Sequence, residues 1–184
     1  MRRTKPPVAR PESRQSAARL WAPWRYAYLS ATRTGTPACI FCVKRLAAAP
    51  RRKRLIVYAN PLALVMLNRY PYTNGHLMVA ARRHVPSPDQ LTRTERAMID
   101  ELIVQSIAGL RDALRPAGFN LGANLGRAAG AGIADHLHWH VVPGWEGDSN
   151  FMPAIASVRM LSQHLEQSFD RLAPRFKAMD INLS

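Results

Sequence analysis

Cysteine is scarce: two thiols in 184 residues cannot build a disulfide framework, and that agrees with a reducing compartment. Long apolar runs are missing as well. No stretch approaches the roughly 18 residues of a membrane span, so no membrane partner is expected. No apolar segment of the signal-peptide kind follows the basic N-terminus, which makes cytoplasmic the plain expectation; an Arg-rich presequence would look alike. Acids are few, 12 against 26 Lys and Arg, for a net charge of +14. Half of that excess falls in residues 1–33, where Glu12 is the lone acid. Residues 1–19 read as a basic, disordered arm. A nucleic-acid contact through this arm is what charge alone permits, and it is not favoured. Residues 20–184 have the length of one domain, and the chain's 47% hydrophobic content is ordinary for a globular protein.

Histidine, by contrast, is concentrated. Three of the six lie in "IADHLHWHVVPGW", at His136, His138 and His140. In a strand, alternate residues share a face, so this spacing puts three imidazoles on one side and Leu137, Trp139 and Val141 on the other. A metal ligand set, a catalytic row and a solvated strand all fit that pattern. The pair Cys39-Ile-Phe-Cys42 is equally open: a redox pair, half a metal site, or chance.

The surrounding pattern is α+β. "LIVYAN" and "LALVMLN" read as strands joined at Asn60-Pro61, and "HLMVAARRH" as a third. "APRRKR" (49–54) reads as a charged loop. Thr92 and Glu95 make a capping box, and a stripe from Ala97 to Leu114 predicts a helix over 93–114, stopped by Pro116 and Gly118. "FNLGAN" and "HLHWHVVP" are further strands, separated by the glycine-rich "LGRAAGAGIAD". A last helix is expected over about 154–170, on Ile155, Val158, Leu161, Leu165 and Phe169. This order predicts an antiparallel sheet of about five strands with two main helices. His164 reads as a surface residue and Trp139 as packing. Arg82, Arg83 and Arg127 read as solvated.

"TNGHLMVAARRH" places Gly75 and His76 at a strand entrance. "NLGRAAGAG" offers backbone N–H groups that can cradle phosphate, with Asn124 at its edge; a flexible connector is the rival reading. An anion-binding loop feeding a row of imidazoles suits phosphoryl or nucleotidyl transfer. Together these residues resemble the histidine triad (HIT) family, whose signature His-φ-His-φ-His-φ-φ fits 136–142. The resemblance covers about residues 20–150 and includes Asn68, eight residues before His76. "WAPWR" and "WEGDSNF" are similar to the branch related to bacterial diadenosine tetraphosphate phosphorylases.

That resemblance implies a HIT-like fold and a covalent mechanism on a purine nucleotide or dinucleoside polyphosphate, without an organic cofactor. His138 would attack the α-phosphorus, its other ring nitrogen held by a backbone carbonyl or by His136. His140 would donate to an oxygen, and His76 belongs to the same catalytic set. Asn124 and the amides of Gly130, Ala131 and Gly132 would balance charge, Asn68 would meet the ribose, and Asp148 and Asn150 would line the site. Zinc-bearing relatives imply a structural zinc on Cys39, Cys42, His84 and His136. Relatives are homodimers that join their sheets. One departure stands out: this chain has Gly130-Ala131-Gly132-Ile133 where relatives commonly carry Gln, Ser or Thr, which leaves phosphorolysis and hydrolysis both open. Other readings are a phosphoramidate hydrolase, or a zinc-stabilised nucleotide-binding or nucleic-acid-associated module without turnover.

Overall fold

A computed structural model describes residues 39–43, 48–146 and 164–178, all within one compact unit. The arm at 1–19, "WAPWR", the stretch 147–163, and with it Asp148 and Asn150, lie outside the described residues. Five strands form one antiparallel sheet: β1 (Ile56–Ala59), β2 (Ala63–Leu67), β3 (Leu77–Ala81), β4 (Gly118–Ala123) and β5 (His138–Gly144). Their spatial order is β1-β2-β3-β5-β4, so β5 lies inside the sheet and β4 forms an edge.

Alternation along the strands splits the core in two. Ala63, Val65 and Leu67 of β2, with Leu77, Val79 and Ala81 of β3, face helices α2 (Arg93–Leu114) and α3 (Leu165–Ala178). Leu64, Met66, Met78 and Ala80 face the other way and meet Phe41 and Val43. Both faces of β2 and β3 are buried, which is why these strands read as continuous apolar runs.

Helix α2 starts where the capping box predicts. The Glu95 N–H donates to Thr92 Oγ1 at 3.2 Å, and the Thr92 N–H donates to Glu95 Oε2 at 2.8 Å. Arg115, at φ 51°, ends it just before Pro116. Two expectations are corrected. The charged stretch read as a loop forms a short helix, α1 (Ala48–Lys53). Pro50 falls in its first turn, where a missing N–H removes no helical bond, and three basic residues at its end suit the helix dipole. The last helix runs to Ala178 rather than about 170, because Phe169, Leu172 and Phe176 extend one buried stripe. The predicted portion at 154–163 lies outside the described residues.

Candidate active site and metal centre

The three signature histidines do not act as one row. Strand β5 begins at His138, and His136 precedes it in a bend. The His136 ring turns toward Cys39 and Cys42, with Nδ1 3.3 Å and 3.6 Å from their sulfurs and 3.2 Å from His84 Nδ1. Cys42 Sγ lies 3.2 Å from His84 Nδ1. The other ring nitrogen of His136 donates, as Nε2–H, to the Ala81 carbonyl at 2.9 Å. That bond fixes the tautomer and leaves the Nδ1 lone pair facing the thiols. The four ligand atoms all lie within 4.8 Å of one another. Zinc with bonds of about 2.0–2.3 Å spaces its tetrahedral ligands by about 3.3–3.8 Å, so the donor set fits a tetrahedral metal. The His136 ring, expected in both the catalytic and the metal set, lies in this cluster, while its carbonyl faces His138.

That carbonyl accepts a hydrogen bond from His138 Nδ1–H at 2.9 Å, which leaves His138 Nε2 with a free lone pair. Sheet register puts His138 directly across from Ala80, and His140 across from Met78 on one side and Gly122 on the other. The face is open beside Gly122, where a Cβ would meet nothing within 4 Å, while Ala80 is buried in the cluster that holds Phe41. Trp139 points to the opposite face and packs against the helix-side core, as expected.

His76 completes the constellation. Its Nδ1 faces the backbone N–H of Tyr72 at 3.2 Å; since an amide can only donate, Nδ1 is an acceptor. The neutral ring then carries its proton on Nε2, which donates to His140 Nδ1 at 2.9 Å. His140 is left with its own proton on Nε2. The Tyr72 ring stacks on His76 with centroids 4.9 Å apart, and the Thr73 hydroxyl ties the loop to the Pro143 carbonyl at 2.7 Å. Gly75, at φ +76°, is required there, because a Cβ would stand 2.5 Å from Leu114 Cδ1.

Burial keeps these rings neutral. His76 is pushed down to about 3 by burial, reinforced by the neighbouring His140 and His138. Burial also lowers His138, opposed by its bond to the His136 carbonyl. His136 is lowered by burial against the opposing Ala81 carbonyl bond, with His84 and His138 adding to the fall. Burial raises the Cys42 thiol, as do the hydrogen bond and charge of Cys39, while Arg82 pulls it down.

The remaining predicted residues divide. Asn68 is half-buried, with Nδ2 3.4 Å from His76 Nδ1 and Oδ1 accepting from the Tyr70 N–H. Asn124 directly follows Ala123, the last β4 residue, which pairs with Trp139. The three-amide phosphate cradle is narrowed: Gly130 N–H donates to the Arg127 carbonyl and Ala131 N–H to the Gly126 carbonyl. Gly132 N–H has no such bond among the described residues. Arg82 is half-buried and bonded to the Val43 carbonyl rather than solvated, and Arg83 pairs with Glu95 at 2.8 Å. Arg127 and His164 are exposed. Sequence reasoning expected a backbone carbonyl or His136 behind His138, and that partner is the His136 carbonyl; it missed the Ala81 carbonyl, the Tyr72 amide and Phe41. Only Phe41 carried a signal, as an apolar residue inside the Cys-X-X-Cys turn.

A buried, tautomer-ordered pair of histidines thus stands beside a thiol–imidazole cluster. Residues 50–147 match the HIT domain, and the chain belongs to that family. It is 36% identical over 167 residues to the AP-4-A phosphorylase of Mycobacterium tuberculosis, covering 87% of this chain and 85% of that protein. A second relative, the adenylylsulfatase HINT3 of Arabidopsis thaliana, is 27% identical over 134 residues, 73% of this chain and 65% of that one. In fold, a hypothetical histidine triad nucleotide-binding protein from Sulfolobus tokodaii matches with TM-score 0.59 at 24% identity, covering 76% of this chain and 92% of that chain. A Zn-bound histidine triad family protein from Mycobacterium smegmatis matches with TM-score 0.58 at 23% identity, over 76% and 94%.

Proposed function

We propose that this chain cleaves diadenosine tetraphosphate, or a close dinucleoside polyphosphate, through a nucleotidyl intermediate on His138 Nε2. The observation that carries the reading is the bond from His138 Nδ1–H to the His136 carbonyl, because it leaves the lone pair on Nε2, the nitrogen that would attack. His138 Nε2 attacks the α-phosphorus; a P–N bond forms and the P–O bond to the polyphosphate breaks. His140 Nε2–H, oriented by His76, donates a hydrogen bond to the oxygen of the departing polyphosphate and keeps its proton, and ATP leaves as its anion. Phosphate then attacks the adenylyl group, the P–N bond to His138 breaks, ADP leaves with the new P–O bond, and the phosphate's proton passes to solvent. Asn124 and the Gly132 amide would supply donors to charge on the phosphoryl oxygens, and Asn68 would meet the ribose. Similarity to a phosphorylase supports phosphate over water as acceptor.

Cys39, Cys42, His84 and His136 would hold one zinc ion. All four tetrahedral positions would then be filled by protein, so zinc supplies a structural clamp rather than a reactive site. The exposed edge β4, with Leu121 53% exposed, supports pairing with a second copy. Chromatography of diadenosine tetraphosphate reactions, with and without millimolar-range phosphate, tests the reading. ATP and ADP are expected with phosphate present. Equal ATP and AMP, indifferent to phosphate, would make the enzyme a hydrolase.

A further inference from the structure

The Cys-Ile-Phe-Cys turn presents more than thiols. Phe41, between the two cysteines, is fully buried, while Cys42 beside it is exposed and Cys39 half-buried. Its ring lies against two imidazoles at once, with centroids 4.8 Å from His138 at a 32° tilt and 5.1 Å from His136. The space it fills is left by Ala80, the small residue directly across from His138. Val43, Ile56, Leu64, Met66 and Met78 close around it, so the ring has no room to swing aside.

We infer that Phe41 is a positioning residue for the nucleophile, a flat wall that fixes the plane of the His138 ring. This rests on His138 being the nucleophile. A single hydrogen bond, such as that from Nδ1–H to the His136 carbonyl, leaves an imidazole free to rock about the bond. His140 touches His138 edge-on, with ring centroids 5.0 Å apart at 70°. An edge contact limits displacement on one side only. The face of Phe41 supplies the other constraint, and together they direct the Nε2 lone pair to one point. In-line attack on phosphorus is sensitive to that direction, and a misplacement of about 1 Å can cost about a hundredfold in rate. The arrangement also gives the Cys39–Cys42 turn a second purpose: anchoring both ends of the turn anchors the ring between them.

The test compares Phe41→Leu and Phe41→Met with wild type, in the full chain on diadenosine tetraphosphate and phosphate. Both variants stay apolar and near the original volume but lack the flat face. Expected is a fall in kcat of about tenfold to a hundredfold with KM within about threefold, and bound metal per chain as in wild type. His138→Ala runs beside them. If that variant is inactive while both Phe41 variants keep kcat within twofold, the wall is not needed and this inference alone fails. If both lose metal, or neither folds, Phe41 serves the core and the inference is overturned. Should His138→Ala itself turn over within tenfold of wild type, the covalent reading fails first.

Discussion

His136 and His138 stand two residues apart, yet they are opposites in chemistry. His136 gives its Nε2–H to the Ala81 carbonyl and turns Nδ1 toward two thiols; His138 gives its Nδ1–H to the His136 carbonyl and keeps its lone pair on Nε2. In each case one backbone carbonyl chooses the tautomer, and the nitrogen left over decides the task. One side chain is suited to a metal, the other to phosphorus. The two are joined by a single residue, since the His136 ring belongs to the cluster while its carbonyl accepts from His138.

The largest break in this comparison is His138→Ala. Turnover is expected to fall about a thousandfold or more, while nucleotide affinity changes less than about tenfold, because Asn68, Asn124 and the loop stay in place. Single-turnover kinetics with equilibrium binding reads both quantities. On the other side, Cys42→Ser should empty the metal centre. Elemental analysis is expected to find about one zinc per chain in wild type and little in the variant, with melting lowered by about 5–10 °C. Metal-free wild type with full activity and unchanged melting would return the cysteines to plain thiols.

His76 sharpens the contrast from the catalytic side. His76→Phe removes the donor to His140 Nδ1 and should lower kcat about tenfold to a hundredfold. The same variant tests a pH dependence. His76 is held near 3 in the fold, below the ordinary value of 6.5, so its contribution is fully present above pH 6.5. It is lost as pH falls toward 3, because the unfolded chain takes up the proton first, with a limiting slope of about 1.4 kcal/mol per pH unit. Denaturation at stepped pH should show this slope in wild type and a shallower one in the variant. The smallest effect lies one residue from the cluster, where Arg83 pairs with Glu95. Arg83 holds the Glu95 carboxyl down at about 2, aided by the Thr92 bonds against burial. Glu95→Ala should cost about 1–2 kcal/mol in urea unfolding and leave kcat within twofold. A larger loss of rate would tie helix α2 to the chemistry directly.

Much of this was legible in the sequence where periodicity and capping speak for themselves. Thr92 and Glu95 marked the start of α2, and the strand pattern gave all five strands. Reading the His-X-His-X-His pattern as one continuous strand face failed at His136. Here the Leu137 N–H bonds to the Val85 carbonyl, and the side chain is drawn to the cysteines instead. Which carbonyl meets which ring nitrogen depends on main-chain atoms that every residue carries, so no residue type announces it. The charged α1 was misread because helix propensity in a six-residue basic stretch is weak beside its loop-like composition.

Helix α2 touches both halves of the molecule. Near its start Glu95 grips Arg83, the neighbour of His84; at its end the Leu114 side chain closes over Gly75, and the Leu114 carbonyl accepts from the Trp145 indole at 3.2 Å. At 1.5 Å per residue its 22 residues measure about 33 Å, which makes the helix a ruler between the two workplaces. A single inserted residue would turn its far end by about 100° and carry Leu114 off the glycine that seats His76. The length of this helix in residues therefore sets how Leu114 meets Gly75 when Glu95 holds Arg83.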